Sequence, residues 1–125
     1  MDRSIEKSLY DILSCIEEIE SYFSQYPLQF EIYRTTPILR SGIHMNLSII
    51  GEATNRILKL QPTFGISNAR QIIGTRNYII HGYDSLRPEM IWAIVINDLP
   101  RLKQEVITHL NKSTLRGCGR LRVRE

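Results

Sequence analysis

The 125-residue sequence has only two cysteines, Cys15 and Cys118, far apart and outside any zinc or redox spacing. A disulfide framework and a cysteine metal site are therefore not expected, and a reduced, cytoplasmic protein is. No apolar run exceeds a few residues, so no transmembrane helix is expected. The N-terminal segment MDRSIEKSL is charged and lacks the apolar stretch of a secretory signal. A Gly-rich phosphate loop, HExxH, GxSxG and any carboxylate ladder with metal-ligand spacing are all missing. His44, His81 and His109 form no ligand pair, so neither a metal nor a cofactor is expected. No segment reads as a convincing strand, and Val95-Ile96 is too short to be one.

What the chain does contain is an ordinary globular composition, 42% apolar and 23% charged, at a length suited to one core. The net charge of +3 is unevenly spread. Lys112, Arg116, Arg120, Arg122 and Arg124 face one acid, Glu125, whereas residues 1–30 carry six acids against Arg3 and Lys7. Basicity is a property of the C-terminal tail, which suits either a polyanion such as RNA or a solvated end. With Gly117 and Gly119 among these arginines, residues 112–125 are expected to form a flexible basic tail behind a domain of residues 1–111.

Helical periodicity fills the domain. Ile5, Leu9, Ile12, Ile16, Ile19 and Phe23 alternate spacings of 4 and 3, with Asp2 or Ser4 available as cap and Pro27 beyond the end. Thr36-Pro37 opens a second helix through Leu39, Ile43, Leu47, Ile50, Thr54 and Ile57. Gly42 and Gly51 inside it weaken the helix, so close packing is the expected reason for them. A third helix runs from about Ser67 to His81, followed by Gly82 at the left-handed capping position. A fourth starts near Ser85 and carries Ile91, Ile94, Val95, Leu102, Val106 and Leu110. Pro100 should kink it, with Asp98 re-capping the second half. Gln25–Arg34 matches no pattern. The expected fold is all-α, an antiparallel bundle of four to five helices.

Chemistry concentrates in Arg76-Asn77-Tyr78-Ile79-Ile80-His81-Gly82-Tyr83. His suits proton transfer near neutral pH, and Arg offers a permanent charge and a fork that fits phosphate oxygens. Five residues of α-helix put Arg76 and His81 about 140° apart, so they converge only if the helix unwinds or a second subunit completes the site. The plainer alternative is a helix-end histidine capped by Gly82, with Arg76 paired to Glu52 on the neighbouring helix. Tyr78, inside the helix, reads as a packing residue.

The spacing Arg76-x4-His81-x-Tyr83, the stretch Asn46–Arg56 (NLSIIGEATNR) and the run Ile91–Lys103 (IWAIVINDLPRLK) together resemble the HepT-like group of HEPN domains. These are the toxins of bacterial and archaeal MntA–HepT pairs, and the resemblance covers about residues 3–111. It implies a HEPN bundle that forms homodimers and acts as a metal-independent ribonuclease toxin of a type VII toxin–antitoxin system. The cleft would lie between two subunits, each contributing Arg76 and His81, with Asn77 matching the polar residue that often follows the arginine and Glu52 supporting. Tyr83 matches the tyrosine that an MntA-like nucleotidyltransferase antitoxin modifies with AMP. The implied partners are RNA, a second copy and that antitoxin, in a larger hetero-oligomer, with no membrane. Asp84, beside the motif, is either an acid mildly unfavourable for RNA or one that orients Arg76 or Arg87. The competing reading is a non-catalytic helical module that serves only as partner and substrate of the nucleotidyltransferase.

Overall fold

The computed structural model describes residues 1–81 and 87–117, the side chains of His81 and of 114–117 excepted. The described residues are mostly helical, with short turns and irregular links between the helices and no strand. The helices are α1 (Arg3–Tyr22), α2 (Phe30–Thr35), α3 (Pro37–Leu60), α4 (Ala69–His81), α5 (Pro88–Ala93) and α6 (Leu99–Gly117), with a π-helical turn, Ile94–Asp98, joining the last two. No helix among these residues is long and apolar enough to cross a membrane.

The α1 seam is buried as its spacing requires: Ile5, Leu9, Ile12, Ile16 and Ile19 all lie in the core. Asp2 caps the helix, its carboxylate accepting from the Ser4 and Ile5 N–H groups at 2.6 and 3.2 Å. Helix α3 lies antiparallel to α1. Asn46 donates to Tyr22 Oη near one end, and Arg56 reaches Ser8 and Asp11 near the other. Both predicted close approaches occur. A Cβ on Gly42 would sit 2.7 Å from Tyr22 Oη. One on Gly51 would sit 2.6 Å from Arg76 Cβ and 3.1 Å from the Ile72 carbonyl, so α4 is pressed directly onto the α3 backbone.

Four features differ from the expectation. Helix α2 forms in the stretch that matched no pattern, because Tyr33 is an anchor that periodicity cannot reveal. Its ring is fully buried and stacks on Trp92 at 5.6 Å, with Phe23 and Phe30 also against the indole. The kink expected at Pro100 is a π turn instead. The Leu99 N–H reaches back to the Ile94 carbonyl, and the extra residue accommodates a proline that can neither donate nor tolerate a carbonyl one turn earlier. Asp98 does not re-cap α6; it is buried and accepts a hydrogen bond from Asn68 Nδ2 at 3.0 Å. The helix also continues past the expected domain end to Gly117, since nothing before that glycine breaks it. The remainder of the expected flexible tail, from Cys118 on, lies outside the described residues.

Asn68 occupies the left-handed region (φ 58°) just ahead of α4, and its carbonyl accepts from the Ile72 N–H. Glu105 on α6 holds the Ser67 backbone N–H at 3.0 Å and also its hydroxyl. These bonds fix where α4 begins, two residues later than the sequence suggested.

His44 is buried, and a 2.7 Å hydrogen bond joins its Nε2 to Tyr33 Oη. Burial, with the Arg40 charge adding, pushes its pKa below the ordinary 6.5. The unfolded chain takes up a proton on this group near pH 6.5 while the folded chain resists it. Stability from His44 is thus complete above that pH and is lost as pH falls toward the lowered folded value. Urea titrations between about pH 5 and 7 should show the stability of the wild type declining toward acid, and His44→Gln should flatten the decline in that window. Equal slopes would contradict the assignment. For the α3–α4 contact, Gly51→Ala should lower the thermal midpoint despite its better helix propensity, by the roughly 1–3 kcal/mol that overpacking costs. A midpoint at or above wild type would show that the two helices separate freely.

Candidate active site on the fourth helix

Helix α4 reads ARQIIGTRNYIIH, with two arginines and no acid in its 13 residues. Its inward side is Ile72, Thr75 and the half-buried Ile79, and Thr75 returns its hydroxyl to the Gln71 carbonyl. Arg76 lies at the edge of that side. Its stem is clamped against Gly51, and its Nε is buried with no hydrogen-bond partner. One contact remains to the guanidinium: Nη1 donates to Asn77 Oδ1 at 3.3 Å.

The expected support from Glu52 is not formed. The Glu52 carboxylate sits 4.0 Å from Arg56, one turn further along its own helix, and among the described residues no acid pairs with Arg76. The salt-bridge half of the plainer reading therefore fails. A half-buried arginine packed into a helix interface ordinarily meets a carboxylate, because an uncompensated cation there is costly. Among the described residues its guanidinium meets only a neutral, exposed amide, that of Asn77.

His81 is the last residue of α4, and five residues of helix separate it from Arg76 by about 140°. By the same register Asn77 lies between them, about 40° from the His81 position and 100° from Arg76. Asn77 thus draws the guanidinium head toward the side of the helix that His81 occupies. Tyr83, Gly82 and Asp84 lie outside the described residues. Tyr78 is not a packing residue: it is 44% exposed, because the register sets it away from the Ile72–Ile79 side.

The two other histidines and Cys15 are committed to structure. His44 is held by Tyr33. His109 Nε2 lies 2.9 Å from the Gly65 carbonyl, and its ring packs on Phe64. Burial pushes the Cys15 thiol up, and Asp11 and Glu18 add to the shift, which suits packing and not nucleophilic attack. No three His, Cys, Asp or Glu among the described residues come together as a metal-ligating group. The adjacency of Arg76 and Asn77 was legible in the sequence; the missing acid partner was not, because it depends on the rotation of α4 against α3.

Comparison with known proteins identifies the family. The profile of the HepT-like ribonucleases matches residues 12–108, from α1 well into α6. A Methanocaldococcus jannaschii protein whose name gives it as a candidate RNase is 28% identical over 105 residues, covering 83% of this chain and 94% of its own. A Caldanaerobacter subterraneus protein named in the same way is 28% identical over 86 residues, covering 68% and 77%. No solved structure is a significant match. An all-α bundle carrying Arg76, Asn77 and His81 on one helix, matched over most of its length, belongs to the HepT-like ribonuclease family.

Proposed function

We propose that this ribonuclease is a cytoplasmic toxin of a type VII toxin–antitoxin pair, cutting RNA without a metal ion in a cleft between two copies of the chain. The observation that carries the reading is Arg76: a cation with its stem packed on Gly51, a dry Nε, no acidic partner among the described residues and Asn77 beside it. A phosphodiester is the anion such a group suits.

In this reading His81 takes the proton of the 2′-hydroxyl as that oxygen attacks phosphorus. The bond to the 5′-oxygen breaks, that oxygen is protonated as it leaves, and a 2′,3′-cyclic phosphate and a 5′-hydroxyl remain. Arg76 and Asn77 offset the charge that builds on the phosphate oxygens. The angular separation of Arg76 and His81 favours a site assembled from two subunits. A row of apolar residues on the outer side of α3 fits such a contact: Ile38, Met45 and Ile49, spaced seven and four apart, are 74%, 66% and 41% exposed.

Regulation follows from Tyr83, two residues past His81. An AMP group placed there by an MntA-like nucleotidyltransferase adds bulk and a negative charge where RNA must enter. A larger hetero-oligomer with that partner is part of the same proposal.

His81→Ala should slow cleavage by about 10²- to 10⁴-fold, the usual contribution of a positioned acid or base, with little change in thermal midpoint. Arg76→Ala should lose activity as well. Unchanged cleavage in both would leave a binding module that only serves the nucleotidyltransferase. Tyr83→Phe should stay toxic on expression yet escape neutralisation by the partner, and peptide mapping after co-expression should find AMP on Tyr83 and not on Tyr78. Neutralisation that persists in Tyr83→Phe would mean inhibition by steric cover of the cleft.

A further inference from the structure

Three glycines with described surroundings lie inside long helices, and two are explained within the chain: Gly42 by Tyr22 and Gly51 by Arg76. Gly74 is not. A Cβ there would meet nothing within 4 Å among the described residues, so their packing does not require the glycine, although glycine weakens a helix interior relative to alanine. By helical register Gly74 shares a row with Arg70, Asn77 and the His81 position, at spacings of 4, 3 and 4, within an arc of about 60° opposite Ile72 and Ile79. Arg70 is exposed and makes no hydrogen bond or ion pair among the described residues. It stands in the first turn of α4, where a cation opposes the helix dipole, and the helix offers it no acid. Tyr78, its ring exposed, flanks the row next to Gly74.

We propose that this row is the track of the RNA backbone leading to the scissile linkage. The inference rests on the ribonuclease reading of the same site. Arg70 holds a phosphate outside the linkage that is cut, Gly74 lets the sugar–phosphate chain lie against the helix where a side chain would lift it away, and Tyr78 offers a face on which a base stacks. From Arg70 to the His81 position is about 16 Å of helix, longer than one phosphodiester needs. The charge of the row selects this occupant over a second copy of α4. Two such rows facing each other would bring both Arg70 cations into one contact with no acid on either helix to offset them, whereas a polyanion neutralises them. The exposed apolar residues suited to a second copy lie on α3.

The test uses the full chain with His81→Ala to stop cleavage, and a fluorescein-labelled single-stranded RNA of mixed sequence read by anisotropy across a salt series. Arg70→Gln should reduce the slope of log affinity against log salt by about 0.7, the contribution of one phosphate contact on a single strand. Gly74→Leu should weaken binding severalfold while the thermal midpoint and sedimentation stay as in the parent. An unchanged slope in Arg70→Gln overturns the proposal. So does Gly74→Leu that binds RNA normally, or that converts a dimer to a monomer, which would make the row a subunit contact. If the otherwise unmodified chain cleaves no RNA, the ribonuclease reading itself fails. Cleavage together with an unchanged Arg70→Gln slope removes only the track.

Discussion

The contact of Gly51 with Arg76 governs the rest of the site. With no side chain on Gly51, the α4 backbone comes within van der Waals reach of α3, the Arg76 stem fills the space, and the rotation of α4 about its own axis is fixed. That rotation sends Ile72 and Thr75 inward and leaves Asn77 and Tyr78 outside. At the far end, Asn68 and Ser67 are tied to Asp98 and Glu105 of the C-terminal helical arm, so the helix cannot slide along its axis either. The placement of α4 is thus set by one glycine and two carboxylates.

The same contact creates an electrostatic imbalance. Packing the Arg76 stem into the interface desolvates Nε, and the nearest acid on α3, Glu52, turns to Arg56 instead. A cation held without a counter-ion among the described residues costs stability, and burial of apolar side chains such as the aromatic cluster of Tyr33, Trp92, Phe23 and Phe30 offsets part of that cost. In the proposed site the phosphate of bound RNA would supply that charge.

Much of this was legible from residue order. The α1 seam, the Asp2 cap, the Thr36-Pro37 start and the two close-packing glycines are local signals, and each appears in the structure at or within a residue or two of its expected place. The family resemblance, drawn from three short stretches, is matched over most of the chain. What escaped were choices among partners. Asp98 could cap α6 or bond Asn68, and Glu52 could meet Arg76 or Arg56; sequence spacing allows both in each case, and only the packed arrangement decides. Helix α2 escaped because its reason is Tyr33 meeting His44 and Trp92, residues remote in the chain. The π turn escaped because a proline predicts a disturbance without saying which of several backbone solutions removes it.

The central claim is that the RNA is cut by its own 2′-hydroxyl, with the protein supplying a proton acceptor and a cation. It is tested most directly by an oligonucleotide carrying a single 2′-deoxy substitution at the mapped cleavage position, incubated with the protein in excess EDTA beside the all-ribose parent. The account predicts that the parent is cut to a 2′,3′-cyclic phosphate and a 5′-hydroxyl while the substituted strand stays intact at that position. Cutting of the 2′-deoxy linkage, or loss of all cleavage in EDTA with recovery on adding a divalent metal, would contradict it.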